Sequence, residues 1–185
     1  MSRRTRWILL VLVVALVGAA VALVVVEQPK LDDARSAVDA RWKPLRAPEQ
    51  LRARYDRLGD FLNQYDAAGG AGRGVSKDLH AVLDAWQRAL RDGNAESQVD
   101  AANAAEAQGT RLVANTLGSE RIKGVSAVTD AMTTYANTKP NPALVAAYNQ
   151  AVDHYEDERT GALQQPVARV LGYDTRPVLV LGSGA

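Results

Sequence analysis

The residues best suited to catalysis or metal binding are a histidine and the acidic residues around it. His154 and Glu158 are four positions apart, which places an imidazole and a carboxylate on one face of a helix. Asp153, Glu156 and Asp157 lie nearby, but a zinc site needs three or four converging ligands, and only His154 and Glu158 share a face. We therefore predict no metal site and no cofactor, and we interpret this charged run as a solvated helix face.

Nucleophilic catalysis is not indicated elsewhere in the chain. There is no Cys, and no Ser lies in a G-x-S-x-G elbow. The glycine-rich run 69–74 lacks the Lys-Ser/Thr ending of a phosphate-binding loop, which favours a flexible joint. His80 lies beside an apolar stripe and is interpreted as a half-buried packing residue. We predict that the protein is not an enzyme, and a net charge of +1 argues against a nucleic-acid partner.

An apolar run near the N-terminus organises the rest of the chain. Residues 7–26 contain no charged side chain, and about 20 helical residues span roughly 30 Å, the thickness of bilayer hydrocarbon. We interpret the run as a transmembrane signal anchor in contact with the lipid bilayer. The alternative is a cleaved signal peptide ending at Ala20-Val21-Ala22, but the run continues to Val26 and is longer than the core of such peptides.

The flanks and faces of this run predict its orientation and a possible contact. Three Arg residues lie in the short basic flank 1–6, whereas the other flank mixes Lys30 and Arg35 with acidic residues. The positive-inside rule then predicts a single-pass cell-membrane protein with a cytoplasmic N-terminus and an extracytoplasmic helical domain. Small residues at four-residue spacing suggest a helix-association seam, although Gly and Ala are also simply common in membrane helices. This seam comprises Ala15, Gly18, Ala19 and Ala22.

The remainder of the chain has the periodicity of helices. Apolar residues recur at three- and four-residue steps, most regularly at Leu51, Tyr55, Leu58, Leu62 and Tyr65. The predicted fold is all-α: one N-terminal transmembrane helix is followed by an antiparallel helical bundle over residues 27–165. The pattern allows two arrangements, in which the transmembrane helix ends before the bundle or runs on as its first helix. Residues 166–185 are predicted to form a tail that packs on the bundle or trails from it. Pro44 and Pro48 predict a joint after the first helix.

Four patches resemble the LemA family of bacterial membrane-anchored helical proteins. Residues 148–155 (YNQAVDHY) are similar to its Y-N-x-A-V-x-x-Y-N motif, and 167–173 (VARVLGY) resemble the ending that follows it. Residues 50–56 (QLRARYD) and 38–42 (VDARW) resemble its Q-L-x-R-R-x-D and V-D-x-x-W segments. Glu156 stands where the family has Asn, so the chain resembles a divergent member. The positions singled out within these patches are Trp42, Gln50, Leu51, Arg54, Asp56, Tyr148, Asn149, Ala151, Val152, Tyr155, Gly172 and Tyr173.

The resemblance implies a single-span protein with a helical bundle and no established enzymatic activity. Its motif residues are interpreted as packing residues, and Asn149 is expected to bond a neighbouring helix or loop. We predict a helical interaction or scaffold module of the bacterial cell envelope, whose partner is an unidentified membrane or envelope protein or a second copy. The alternative is an envelope sensor that binds a peptide or small ligand in a groove between helices, lined by Tyr55, Tyr65, Trp86 and Tyr135. An enzyme acting through the face of His154 and Glu158 is the least favoured hypothesis.

Overall fold

The computed structural model describes the backbone of residues 3–182 and the side chains of residues 7–182. Residues 1 and 2 of the predicted basic flank and residues 183–185 of the predicted tail lie outside this range. No β-strand occurs among residues 3–182. The prediction of an all-α fold, with one long apolar N-terminal helix and a helical bundle, is confirmed.

Eight α-helices follow one another along the described chain. They are α1 (Arg3–Leu45), α2 (Ala53–Tyr65), α3 (Gly74–Asp92), α4 (Ala95–Leu117), α5 (Glu120–Lys123), α6 (Ser126–Asn137), α7 (Pro142–Thr160) and α8 (Gln164–Leu171). Short π-type turns at Pro48–Arg52 and Asp66–Gly70 connect α1 to α2 and extend α2. Residues 173–182 after α8 belong to no helix or strand.

Helix α1 changes character along its length. Its span Trp7–Leu45 is long and apolar enough to cross a membrane, with an 18-residue window of mean hydropathy 3.3 that is entirely unburied. From Leu31 onwards the same helix has a buried face, at Leu31, Ala34, Val38, Trp42 and Leu45. The helix continues through Pro29, so the first helix of the bundle runs on from the apolar stretch.

The described chain divides into two compact units. The first comprises residues 3–38 and 151–176, and the second comprises residues 39–150 and 177–182. Buried apolar side chains of the first unit come from α1, α7, α8 and the turn after α8; they include Leu31, Val38, Val152, Tyr155, Val167 and Tyr173.

The second unit is built from helix pairs joined at two kinks. Helix α3 packs along α4, and α2 packs along α6. The first kink is at Gln50 (φ −109°, ψ −116°), in the joint that Pro44 and Pro48 predict. The second is at Gly69, whose φ of +91° is accessible to glycine at little cost. The stripe predicted on α2 is buried in full, from Leu51 to Tyr65.

Helix boundaries within this unit follow local capping chemistry. Gly93 ends α3 in the left-handed conformation, and the side chain of Asn94 accepts a hydrogen bond from the Ser97 N–H at the start of α4. Pro142 is the first residue of α7, and Asn141 Oδ1 accepts a bond from the N–H of Ala143 at 2.9 Å. These caps fix where α4 and α7 begin, and both helices carry side chains that matter below.

Candidate functional site

The histidines lie on the surface. His154 is exposed, and Glu158 is half-buried with Gln164 Nε2 donating to it at 3.5 Å. Among the described residues no group of three or more His, Asp or Glu side chains is arranged to hold a metal ion. His80, which the sequence suggests is half-buried, is exposed instead, because its imidazole pairs with Asp66 at 2.8 Å and stays in solvent.

The most concentrated polar group is a buried ion pair between α2 and α4. Arg54 Nε lies 2.6 Å from Glu106 Oε1, Arg54 Nη2 lies 2.8 Å from Glu106 Oε2, and both side chains are 2% exposed. The guanidinium also donates to the backbone oxygens of Tyr135 and Thr138, and it lies 4.4 Å above the Tyr135 ring. The bidentate geometry and the extra acceptors satisfy a charge that would otherwise be costly to bury.

Burial and the ion pair shift the titration of the groups around this pair. Burial opposes the charge on Arg54, but the hydrogen bond and negative charge of Glu106 raise the pKa of the guanidinium above its usual value. Burial, followed by the charge of Glu106, raises the pKa of the Tyr135 hydroxyl well above its usual range. The Arg54 guanidinium therefore stays charged and the Tyr135 hydroxyl stays neutral across the physiological pH range, which suits a structural role.

The aromatic side chains proposed to line a ligand groove are packed into the second unit. Tyr55, Tyr65, Trp86 and Tyr135 are at most 2% exposed. Tyr55 meets Trp86 edge to face at 4.9 Å and donates to the Ala102 carbonyl. A shallow surface groove between α2 and α3 reaches the edges of Tyr55 and Trp86, and its rim is polar.

Two resemblance positions join distant parts of the second unit. Trp42 Nε1 donates to Gln98 Oε1 at 2.7 Å, and the Trp42 ring is tilted against Tyr148 at 5.3 Å. Gln50, at the kink before α2, accepts a bond from the N–H of Asn141 at 2.8 Å. Both contacts tie the start of the unit to segments at least fifty residues further along the chain.

Asn149 holds the extended segment 177–182, hereafter the terminal strap. Its amide pairs with one residue of the strap, donating to the Leu179 carbonyl at 3.0 Å and accepting from the Leu179 N–H at 2.9 Å. Tyr148 donates to the Pro177 carbonyl at 2.8 Å. The partner of Asn149, which the sequence analysis expects to be a helix or a loop, is therefore a segment outside the helices.

In the first unit, Tyr155 and Tyr173 hold the turn that follows α8. Tyr155 donates to the Asp174 carbonyl at 2.8 Å, and Tyr173 donates to Asp32 on α1. Burial, with the hydrogen bond to Asp32 second, raises the pKa of Tyr173 to about 12. Gly172 ends α8 with φ +72°, a conformation that favours glycine.

The remaining residues singled out from the sequence fall into two groups. Leu51 and Val152 are buried, Ala151 is half-buried and Asp56 is exposed. The predicted seam on α1, at Ala15, Gly18, Ala19 and Ala22, is exposed along its length, and nothing lies within 4 Å of a Cβ built on Gly18.

Three polar residues that organise these contacts were missed by the sequence analysis. They are Gln98, Asn103 and Glu106, all on the Ala-rich helix α4. A signal was available for Glu106, since it lies at helical spacing from the small or apolar residues 102, 109 and 113. Arg54 likewise falls on the apolar stripe of α2. One charged residue of each sign on the buried faces of two helices is a pattern that indicates a buried ion pair.

Comparison of the chain with protein-family models, with curated proteins and with solved structures found no significant match.

Proposed function

We propose that the chain is a membrane-anchored helical interaction module of the bacterial cell envelope, without catalytic activity. The observation that carries this proposal is the division within α1. No residue of its apolar stretch, 7–26, is buried in the described chain, whereas one face of the same helix is buried from Leu31 onwards. A helix of this kind fits an anchor in lipid that holds a folded unit near the bilayer.

The use of the distinctive polar side chains supports a scaffold role. Trp42, Gln50 and Arg54 each bond a distant part of the chain rather than converging on one cleft. Tyr148 and Asn149 hold the terminal strap. Function must be argued from a site, and residues committed to internal contacts serve architecture better than chemistry. The same positions carry the LemA resemblance, so membership of that family, as a divergent member, is part of the proposal.

The second candidate function is an envelope sensor. The groove between α2 and α3 favours it, since two aromatic edges lie at its base among polar side chains. Such a mixture suits a peptide or a small amphipathic ligand. Because the groove is shallow and all four aromatic rings are packed inside, it ranks behind the interaction module.

Photo-crosslinking in cells tests the interaction module. A photoreactive amino acid placed at Asn63, an exposed residue of α2 beside two surface grooves, should give a reproducible crosslink to an envelope or membrane protein or to a second copy. The same amino acid at Leu79, which is buried, is the matched control and should give none. Absence of a crosslink from Asn63 and from further exposed bundle positions, together with a monomeric purified protein, would contradict the proposal.

A further inference from the structure

The terminal strap is held through its backbone, in the way that a protein holds an extended peptide ligand. Six hydrogen bonds between described residues hold it, and every one involves a backbone N–H or carbonyl of the strap. The helices supply the other partner of each bond from a side chain, on α4 or α7. No side chain of the strap takes part in these bonds, so this clamp recognises an extended backbone rather than a particular polar residue.

Two asparagines grip opposite edges of the strap. Asn149 pairs with the N–H and carbonyl of Leu179. Asn103 donates to the Val178 carbonyl at 2.8 Å and accepts from the Val180 N–H at 2.8 Å. In an extended chain, successive residues turn their backbone polar groups to opposite sides, so the two amides take the places of two flanking strands.

Sequence selectivity comes from two positions of the strap. Leu179 is 2% exposed, whereas Val178 and Val180 are 40% and 59% exposed. At Gly182 a Cβ would lie 2.6 Å from Thr110 Oγ1, and the Gly182 N–H donates to Glu106 at 2.9 Å. The strap lies in a groove between α4 and α7, hereafter the α4–α7 groove. This groove therefore accepts an extended peptide with a leucine and, three residues later, a glycine.

The strap follows directly on the segment that leads away from α8. The division between the two compact units falls between Arg176 and Pro177, so the strap belongs to one unit and the chain before it to the other. A segment that docks by itself beyond such a division can be supplied by another copy without changing any contact in the groove. Confinement of two copies to one bilayer would raise their effective concentration.

We propose that the α4–α7 groove is an exchangeable peptide-binding site, which takes the terminal strap of a second copy of this chain. The strap of a second copy has the same leucine, the same glycine and the same backbone groups as the segment that fills the groove here. This inference names the partner of the proposed interaction module and so rests on that proposal.

Disulfide trapping between two differently tagged full-length copies tests the exchange. The chain has no Cys, and a side chain at position 182 would abut position 110. One copy carries Thr110→Cys and the other carries Gly182→Cys. Oxidation of the mixed proteins in detergent should give a heterodisulfide several-fold above that from Thr110→Cys mixed with Asp92→Cys, an exposed control position on α3.

Two further measurements make the result specific. Adding Leu179→Asp to the Gly182→Cys copy should reduce the heterodisulfide to the control level, since an aspartate cannot be buried in place of the leucine. Excess synthetic peptide of residues 175–182 should compete, whereas the peptide with Asp in place of Leu should not.

Several outcomes would overturn the exchange. One is a heterodisulfide at the control level while a single copy with both Thr110→Cys and Gly182→Cys oxidises internally, which means that the strap stays with its own chain. Absence of that internal disulfide would mean that Cys cannot replace Gly182 in the docked strap. Failure of the glycine-containing peptide of residues 175–182 to bind a Leu179→Asp copy would then contradict the groove. Binding of the peptide to a Leu179→Asp copy without exchange between copies would exclude the second copy as the occupant. All of these readouts are taken in detergent, so they are independent of membrane location, orientation and the cellular crosslink.

Discussion

At the scale of single residues, the molecule depends on polar side chains that are buried with a partner. Arg54 and Glu106 are the extreme case, because both are removed from water and satisfy each other in a bidentate pair. Arg57 and Asp60 form a pair at 3.1 Å on the same helix α2, but their side chains are 54% and 60% exposed. The two pairs offer a direct comparison of what burial does to an ion pair.

We predict that Arg54→Met lowers the free energy of unfolding by about 3–5 kcal/mol, because it leaves the Glu106 carboxylate buried without its counter-ion. Glu106→Leu should have an effect of the same order. The double variant should lose clearly less than the sum of the two, since no unpaired charge remains. Denaturant unfolding followed by circular dichroism measures all three.

The matched control for this cycle is Asp60→Ala, which should change the free energy of unfolding by less than about 1 kcal/mol because the exposed pair is screened by solvent. Additive effects at Arg54 and Glu106 would show that the two charges are not coupled.

At the scale of the helices, close packing between neighbouring helices requires glycine at position 109 but not at position 59. Gly109 on α4 lies where a Cβ would be 2.5 Å from Tyr135 Oη and 3.3 Å from Leu58 Cδ1. Gly59, inside α2, has only Leu83 Cδ1 near such a Cβ, at 3.9 Å. One glycine is required by packing between helices, and the other only weakens its helix.

Gly109→Ala should therefore lower the midpoint of thermal unfolding, since the steric conflict with Tyr135 outweighs the helix preference of alanine. Gly59→Ala should raise it, because alanine is favoured over glycine in a helix by about 1 kcal/mol and finds open space. Differential scanning calorimetry should show a lower unfolding midpoint for Gly109→Ala and a higher one for Gly59→Ala than for the unchanged protein. A rise for both would mean that α4 does not approach Tyr135 so closely.

At the scale of the whole molecule, the proposal places the apolar stretch of α1 in a bilayer, with the chain that follows it on one side. Charge near the ends of the apolar stretch predicts which side, because Arg residues precede it and a mixed-charge flank follows. The chain has no Cys, so single introduced thiols report location without background.

We predict that a membrane-impermeant maleimide labels Lys77→Cys, an exposed position on α3, in intact spheroplasts. Ser2→Cys should be labelled only after lysis, because the N-terminus is predicted to be cytoplasmic. The reverse pattern would contradict the orientation. A protein that retains Lys77→Cys but has lost residue 2 would instead establish the cleaved signal peptide.

The helices were more predictable from the sequence than the contacts between them. The stripe from Leu51 to Tyr65 and the Pro142 start of α7 depend on local spacing and capping, which are visible in a short window. The partners of Trp42 and Arg54 lie more than fifty residues away, and local periodicity carries no information about pairing at that distance. His80 was placed wrongly because its position beside an apolar stripe does not reveal its partner Asp66, a half-buried carboxylate that its exposed imidazole reaches from the surface.

The same limit applies to the terminal strap. Its apolar residues 178–181 indicate an extended segment, but nothing near them in sequence identifies Asn103 or Asn149 as the side chains that hold it. Amide side chains that bond a backbone leave no periodic signal. The α4–α7 groove is defined only by the three-dimensional positions of the strap and of the side chains that bond it.

In the proposed membrane anchor, Pro29 would set a preferred hydrophobic thickness for the surrounding bilayer. Proline has no N–H, so the carbonyl of Val25, one turn earlier in α1, lacks its helical donor. Hydrocarbon cannot supply one, whereas interfacial water can, which favours Val25 at a bilayer boundary. Trp7 favours the opposite boundary, and the helix rise between the two residues is about 27 Å. A thicker or thinner bilayer would force tilt or local deformation, so the anchor would sort the protein toward membranes near that thickness.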